Sequence, residues 1–213
     1  MEKSNQRFIA IAGNIGAGKS ALTGLLSGHF GWTAFYETVD DNPYLSDFYE
    51  DMRRWSFNLQ VFFLSSRFRR QQQILQKGVN LVQDRTIYED AEIFAVNLHR
   101  MGLMSERDFK NYQALFNEVS RYMKPPDLLI YLRAQVPTLV RQIQQRGRAY
   151  ESSIRIEYLE SLNRIYEEWI DRYPHEKLII DTDDIDFVNE KEDLGKVITL
   201  VEQRLYGLFN ELI

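Results

Sequence analysis

Short runs of consecutive apolar residues recur along this chain, and longer segments with apolar residues every three or four positions separate them. A continuous apolar run indicates a buried strand, whereas the longer period is typical of a helix with one apolar side. The predicted strands are Phe8–Ala12, Thr33–Tyr36, Asn80–Gln83, Leu128–Leu132 and Leu178–Ile180. The predicted helices are Ser56–Gln76, Glu89–Met101, Glu106–Met123, Pro137–Gln145, Ile154–Tyr173 and Glu190–Leu212. This alternation predicts an α/β fold, with a five-stranded parallel sheet flanked by helices, in a single domain over residues 1–213.

The first predicted strand runs into a glycine-rich segment, Gly13–Ser20, with the pattern G-x-x-x-x-G-K-S. Glycines let the backbone turn its N–H groups toward phosphate oxygens, and leucines after Lys19 predict the helix whose N-terminus favours an anion. In such a loop the lysine reaches the β- and γ-phosphates, and the serine hydroxyl ligates Mg²⁺. We predict that a nucleoside triphosphate is bound by Gly13, Asn14, Ile15, Gly16, Ala17, Gly18, Lys19 and Ser20.

Charged residues follow the second and third predicted strands, where a parallel sheet places its ligands. Glu37 follows the second strand, and Asp84 and Arg85 follow the third. A carboxylate above the phosphate loop can serve as a general base toward a hydroxyl or help to hold Mg²⁺. Asp84 suits Mg²⁺ and Arg85 suits a phosphate or an attacking oxygen. The alternatives are a solvated loop glutamate and a salt bridge at the strand end.

Two further groups of polar residues could contact a ligand. Gln60 and Arg67 lie two turns apart on one face of a predicted helix, and such a face can stack on a planar ring and bind its edge. Arg146 and Arg148 flank Gly147, so they could close over a triphosphate and neutralise transferring charge. The alternatives are an ordinary amphipathic helix and a solvated charged surface.

The composition narrows the class of protein. The chain has 213 residues, 44% of them hydrophobic, and a formal net charge of −5. An acidic balance predicts no general affinity for nucleic acid or for anionic membranes. The absence of cysteine excludes disulfides, thiolate metal sites and cysteine nucleophiles. With no apolar run of membrane-spanning length and no signal-peptide pattern, we expect a cytoplasmic protein.

Together these residues resemble the deoxyribonucleoside kinase family, over about Phe8 to Phe187. The resemblance rests on the loop at 13–20, Glu37, the Arg54-Trp55-Ser56-Phe57 segment leading to Gln60, Asp84-Arg85-Thr86 and Arg146-Gly147-Arg148. It implies a P-loop kinase fold with a short arginine-bearing lid, here about residues 146–153. It also implies that ATP and Mg²⁺ are used to phosphorylate the 5′-hydroxyl of a 2′-deoxynucleoside.

The resemblance assigns catalytic roles position by position. Glu37 would take the proton of the 5′-hydroxyl, and Arg85 would contact that oxygen and the transferring phosphoryl group. Asp84 would hold Mg²⁺ together with Ser20. The residues implied to be catalytic are thus Lys19, Glu37, Arg85, Arg146 and Arg148.

The same resemblance assigns binding roles. Phe187 would pack on the adenine of ATP, and Tyr49 with Glu151 would hold the sugar 3′-hydroxyl. Trp55 and Gln60 would line the nucleoside pocket. Glu37 and Arg85 also count among the residues that bind the nucleoside.

Arg67 and Asp90 match a pair found in relatives that accept cytosine or purine bases. A carboxylate accepts a hydrogen bond from an exocyclic amino group, which thymine lacks. We therefore expect deoxyadenosine as substrate, with deoxyguanosine and deoxycytidine as alternatives.

Other functions remain open on the sequence. A thymidylate-type kinase would phosphorylate a nucleotide, a regulatory GTPase or mechanical ATPase would need other motifs, and a P-loop protein could lack catalysis. The helices Glu89–Met101 and Glu106–Met123 carry surplus apolar residues, namely Phe94, Leu98, Leu115, Phe116 and Met123. This surplus, like the family resemblance, favours a homodimer, and the alternative is that these residues fill the core.

Overall fold

The computed structural model describes residues 6–37, 42–148, 151 and 153–207, and for residues 74–77 the backbone alone. The strands within these residues are β1 (Phe8–Gly13), β2 (Thr33–Phe35), β3 (Leu81–Asp84), β4 (Leu128–Arg133) and β5 (Lys177–Asp181). They form one parallel sheet in the order β2-β3-β1-β4-β5. The predicted five-stranded parallel sheet is confirmed, and β1 lies at its centre.

Helices connect the strands in the predicted alternation. They are α1 (Lys19–Phe30), α2 (Leu45–Glu50), α3 (Met52–Lys77), α4 (Ile87–Glu89), α5 (Val96–Arg100), α6 (Glu106–Ser120), α7 (Val136–Arg146), α8 (Ile156–Arg172) and α9 (Lys191–Tyr206). A π-helical segment, Asp90–Ala95, joins α4 to α5.

The structure corrects several predicted boundaries. The helix expected from Glu89 begins at Ile87 and contains the π-helical segment, which period counting cannot separate from an α-helix. The helix expected to reach Met123 ends at Ser120. The six-residue α2 was not predicted, because it is too short to show a helical period. Residues 208–212 of the last predicted helix, and 149, 150 and 152 of the predicted lid, lie outside the described residues.

Alternating side chains of β1 enter two separate apolar clusters, one on each face of the sheet. Phe8, Ala10 and Ala12 pack with Ile93 from the π-helical segment and with α8. Ile9 and Ile11 pack on the other face with residues of α1, α7 and α9. Because β1 is covered on both faces, it reads as the continuous apolar run seen in the sequence. The loop that follows it therefore begins from a rigid position.

The apolar residues predicted to mediate dimerisation divide between core and surface. Leu98 and Phe116 are buried in the described chain, which corrects the expectation that they form a surplus for dimerisation. Leu115 is exposed, and Tyr122, just after α6, is 69% exposed. None of the helices within the described residues combines the length and apolar character needed to cross a membrane.

Candidate active site

The phosphate-binding loop joins the carboxyl end of β1 to the first turn of α1. Gly16 and Gly18 have φ angles of 86° and 88°, a left-handed conformation that side chains strongly disfavour. At Gly16 a Cβ would also lie 2.8 Å from the Leu139 carbonyl oxygen. A glycine is therefore required there for the loop to pack against α7.

Asn14 fixes the loop and its lysine. The Asn14 side-chain amide donates to the Leu159 carbonyl oxygen at 3.0 Å and to the Asn163 side chain at 2.6 Å, which ties the loop to α8. The Asn14 carbonyl oxygen accepts a hydrogen bond from Lys19 Nζ at 2.8 Å. Burial of Lys19, together with the positive charge of Arg85, lowers the lysine pKa to about 8. A bound polyphosphate would favour the charged ammonium again.

Asp84, the last residue of β3, lies beside the hydroxyl of Ser20. Ser20 Oγ donates to Asp84 Oδ2, and Asp84 Oδ1 is buried without a hydrogen-bond partner. The described residues contain no group of three or more His, Cys, Asp or Glu side chains that could hold a metal. Mg²⁺ in kinases uses one or two protein oxygens and is completed by water and phosphates. The Ser20–Asp84 pair fits that requirement.

The Glu37 carboxylate lies between two arginines. Arg67 Nη2 donates to Glu37 Oε1 at 2.5 Å, and Arg85 Nε donates to Glu37 Oε2 at 3.4 Å. Burial disfavours the charged carboxylate, but Arg85, Arg67 and Lys19 outweigh burial and lower its pKa to about 2. Glu37 is therefore ionised at neutral pH, and the two arginines fix its orientation.

Arg85 follows β3 in a strained backbone conformation. Its φ is 65°, and no other non-glycine residue in the described ranges has a positive φ. Such a conformation costs roughly 1–3 kcal/mol and persists only where its surroundings hold it. The Arg85 N–H donates to the Ile11 carbonyl oxygen at 2.9 Å, and its own carbonyl oxygen accepts from Gln83 Nε2 at 2.8 Å. The guanidinium lies over the Phe94 ring, 4.5 Å from its centroid.

A cleft of about 770 Å³, counted to its open mouth, brings most of the predicted residues together. Aromatic walls come from Phe48, Phe63, Phe94 and Tyr158, and Gln60 Oε1 is buried there without a hydrogen-bond partner. A flat base can stack between such rings while an amide binds its edge. The predicted residues lining the cleft are Ile15, Lys19, Ser20, Glu37, Tyr49, Gln60, Arg85, Asp90, Arg146, Arg148 and Glu151.

The predicted Arg67–Asp90 pair forms, but only Asp90 lines the cleft. Arg67 lies outside the cleft lining and bonds both Asp90 and Glu37. Its Nε donates to Asp90 Oδ2. Burial raises the pKa of Asp90 to about 6, although Arg67 acts in the opposite direction. Asp90 belongs to the π-helical segment, a distortion that often occurs at functional sites. Arg67 therefore bonds two carboxylates from outside the cleft lining, and its contact with a base stays a prediction.

The predicted lid arginines lie at the cleft and pair with Glu151. Arg146 Nε donates to Glu151 Oε2 at 3.0 Å, and Arg148 Nη1 lies 3.7 Å from Glu151 Oε1. Glu151 is buried, whereas both arginines are about one-third exposed. The family resemblance assigns these side chains to the phosphates and the sugar, and those contacts, which would compete with this pairing, stay predictions.

Trp55 and Phe187, like Arg67, do not line the cleft. The Trp55 ring packs beside Tyr44, with ring centroids 5.8 Å apart, and the Arg54 guanidinium lies over it. Phe187 is buried against the loop, where a Cβ on Gly18 would lie 3.0 Å from its ring. Phe187 lines a second groove, which runs beside the loop and α7 and meets the cleft at Lys19, Ser20, Arg146 and Arg148. Its contact with adenine and the contact of Trp55 with a nucleoside stay predictions.

The sequence reasoning missed two buried polar residues beside the loop. Glu89 accepts hydrogen bonds from the Gly13 and Thr86 N–H groups, and Tyr166 from α8 reaches the same carboxylate. A signal was present in the spacing of Thr86 and Glu89, which is that of a capping box. Nothing in the helical pattern of α8 distinguishes Tyr166 from an ordinary core residue.

Comparisons with known proteins found a matching family model and similar sequences and structures. A model of the deoxynucleoside kinase family matches residues 9–206. A deoxyadenosine/deoxycytidine kinase of Bacillus subtilis is 40% identical over 90% of this chain and 89% of its own length. A deoxyguanosine kinase of Lactobacillus johnsonii is 39% identical over 92% of each chain. The structure of deoxyadenosine kinase from M. mycoides with bound dATP has a TM-score of 0.81 at 30% identity, covering 92% of this chain and 99% of its own.

Proposed function

The chain belongs to the deoxynucleoside kinase family, and we propose that its preferred acceptor is deoxyadenosine, with deoxyguanosine and deoxycytidine as further substrates. The reaction is ATP-dependent phosphoryl transfer to a deoxynucleoside. The acceptor atom in our proposal is the 5′-oxygen. The observation that carries the proposal is that Asp90 lines the same cleft as Lys19 and Glu37.

Glu37 accepts the proton of the 5′-hydroxyl in this mechanism. A carboxylate with a pKa of about 2 is a weak base toward a neutral alcohol. The transition state of phosphoryl transfer is loose, and the hydroxyl becomes acidic only as its oxygen bonds to phosphorus. Proton transfer to Glu37 is therefore late, and orientation by Arg67 and Arg85 matters more than base strength.

Positive charge around the transferring group comes from three directions. Lys19 extends from the loop, Arg85 from the end of β3, and Arg146 and Arg148 from the end of α7. In the cleft these groups can stabilise the charge that develops on the phosphoryl oxygens. Ser20 and Asp84 would hold Mg²⁺, which neutralises charge on the β- and γ-phosphates when bound.

The base preference is proposed from Asp90 and Gln60. Asp90 offers a carboxylate acceptor for an exocyclic amino group, and Gln60 offers both an acceptor and donors to the base edge. Tyr49 and Glu151, which line the same cleft, would bind the sugar 3′-hydroxyl. Adenine, cytosine and guanine present such an amino group, and thymine does not.

A rate panel of the four deoxynucleosides at saturating ATP tests this preference. We expect kcat/KM to be highest for deoxyadenosine and at least about tenfold lower for thymidine, which lacks the amino group that would donate to Asp90. Ribonucleosides in the same panel show whether the sugar is discriminated. A thymidine kcat/KM equal to or above that of deoxyadenosine would remove Asp90 from the proposed role.

The acidity of Asp90 gives a pH prediction. Since its pKa is about 6, Asp90 is ionised above pH 6 and neutral below it, so kcat/KM for deoxyadenosine should fall as pH decreases through 6. Glu37 stays ionised throughout this range. The check is to compare the pH profiles of kcat/KM for the wild type and Asp90→Asn. ATP titrates identically in both assays, so its titration does not contribute to a difference between the profiles. An acid limb near pH 6 that persists unchanged in Asp90→Asn would contradict the assignment.

We also propose a homodimer that uses exposed apolar residues on and just after α6. Leu115 on α6 and Tyr122 just after it are exposed on the described surface, and a second subunit would cover such apolar side chains. Leu115→Glu should shift the protein from dimer to monomer in sedimentation, and Gln113→Glu, an exposed change nearby on α6, serves as a control for added charge. An unchanged sedimentation coefficient for Leu115→Glu would contradict this interface. A cytoplasmic location stays a prediction from the sequence.

A further inference from the structure

Glu89 is a completely buried carboxylate to which the mechanism above gives no role. Its Oε2 accepts from the Thr86 N–H at 2.8 Å, and its Oε1 accepts from the Gly13 N–H at 3.3 Å. Arg85 Nη1 lies 3.4 Å from the same Oε1. A buried charge is costly unless it is paired and hydrogen-bonded, and Glu89 satisfies both conditions. It thus contacts the first glycine of the phosphate loop and the arginine at the end of β3.

Tyr166 connects the same two elements from α8. Its hydroxyl oxygen accepts from Arg85 Nη1 at 2.8 Å, and the hydroxyl lies 2.8 Å from the Gly13 carbonyl oxygen and 2.9 Å from Glu89 Oε1. A hydroxyl has a single proton, so it donates to one of these two oxygens at a time. Burial holds the pKa of the Tyr166 hydroxyl well above its usual value, so the group remains a donor.

We infer that Glu89 and Tyr166 are positioning residues that hold the guanidinium of Arg85 in a fixed place relative to Gly13 and the phosphate loop. The inference rests on the proposed function, in which Arg85 contacts the 5′-oxygen and the transferring phosphoryl group. The loop carries the phosphate donor and Arg85 faces the acceptor, so this pair of side chains sets the distance between the two reactants. Errors of about 1 Å in such placement can cost about a hundredfold in rate.

The backbone of Arg85 shows why this support is needed. A positive φ at a residue with a side chain is strained, and strain is retained only where neighbouring groups determine the conformation. Backbone bonds to Ile11 and Gln83 hold the main chain, but they leave the long side chain free to rotate. Glu37 and the Phe94 ring restrain the side chain on one side, and Glu89 and Tyr166 supply the bonds that tie the guanidinium to the phosphate loop.

The test is Tyr166→Phe, which removes the hydroxyl and keeps the ring that stacks on Tyr131. We expect kcat to fall by about tenfold to a hundredfold, the loss typical of a hydrogen bond to a charged group, with KM for deoxyadenosine changed less than about threefold. Tyr131→Phe is the matched control, because its buried ring carries a hydroxyl that donates instead to Glu167. That control should keep the wild-type kcat.

A double-mutant cycle separates positioning from a general structural effect. If Tyr166 acts through Arg85, Tyr166→Phe should lower the single-turnover rate of Arg85→Ala by less than about twofold. Equal losses in both backgrounds, or a kcat for Tyr166→Phe within twofold of wild type, would overturn the inference. Glu89→Gln, which keeps the shape of the side chain, undergoes the same cycle if Tyr166→Phe fails to fold. Absence of deoxynucleoside phosphorylation by the wild type would instead count against the proposed function.

Discussion

Glu37→Gln should reduce kcat for deoxyadenosine by about a hundredfold to ten-thousandfold, the usual contribution of a positioned general base. Glutamine keeps the length of the side chain but cannot receive the proton of the 5′-hydroxyl. Arg67 and Arg85 would lose a charged partner, although Asp90 and Glu89 remain to hold them. We therefore expect deoxyadenosine to bind with an affinity within about tenfold of wild type, measured by calorimetry beside steady-state rates.

The matched control for this change is Glu50→Gln at the end of α2. Glu50 is exposed and lies outside the cleft lining, so its substitution removes the same charge without touching the reactants. Its kcat should equal that of the wild type. Full turnover by Glu37→Gln would exclude Glu37 as the base and leave it a structural partner of the two arginines.

Arg85→Lys should reduce kcat by about a thousandfold, because a lysine keeps the positive charge but not the planar fork. The Arg85 guanidinium bonds Glu37, Glu89 and Tyr166 at once, and an ammonium group on a flexible stem cannot reach all three. An arginine that stabilises phosphoryl transfer contributes about a thousandfold or more. Rapid-quench measurement of the chemical step separates this effect from slower product release.

Arg133→Lys provides the comparison for the Arg85 substitution. Arg133 ends strand β4, and its guanidinium bonds Glu167 away from the cleft lining. We expect a kcat unchanged from wild type for this variant. If Arg85→Lys also kept a near-normal chemical step, charge alone would suffice, and the geometry of the fork would have no catalytic role.

The sheet and the loop could be predicted because local patterns in the sequence indicate both. Strand β1 is covered on both faces, so its residues are apolar without interruption. Gly16 lies where a side chain would not fit. The placement of Glu37 and Asp84 followed from the rule that strand ends meet at one edge of a parallel sheet. These inferences need no knowledge of packing between distant helices.

Other features depend on contacts that no local pattern records. The π-helical segment places Asp90 against Arg67 from α3, and the two lie far apart in the sequence. Trp55 packs beside Tyr44 rather than in the cleft lining, and the helical pattern does not indicate that contact. The contacts of Glu89 and Tyr166 depend on tertiary packing, which places Tyr166 of α8 beside Gly13 and Glu89. The burial of Leu98 and Phe116 likewise reflects tertiary packing rather than helix period.

A side-by-side assay of deoxyadenosine, dAMP and dTMP as phosphate acceptors from ATP tests the proposed reaction most directly. In the proposed mechanism the Glu37 carboxylate lies beside the acceptor oxygen, where it suits a neutral hydroxyl and repels an acceptor that already bears a phosphate. The cations that line the same cleft are used by the phosphates of the donor. We predict rapid formation of dAMP from deoxyadenosine and negligible phosphorylation of either monophosphate. Phosphorylation of a monophosphate at a higher kcat/KM than deoxyadenosine would contradict the proposal that the acceptor is a nucleoside.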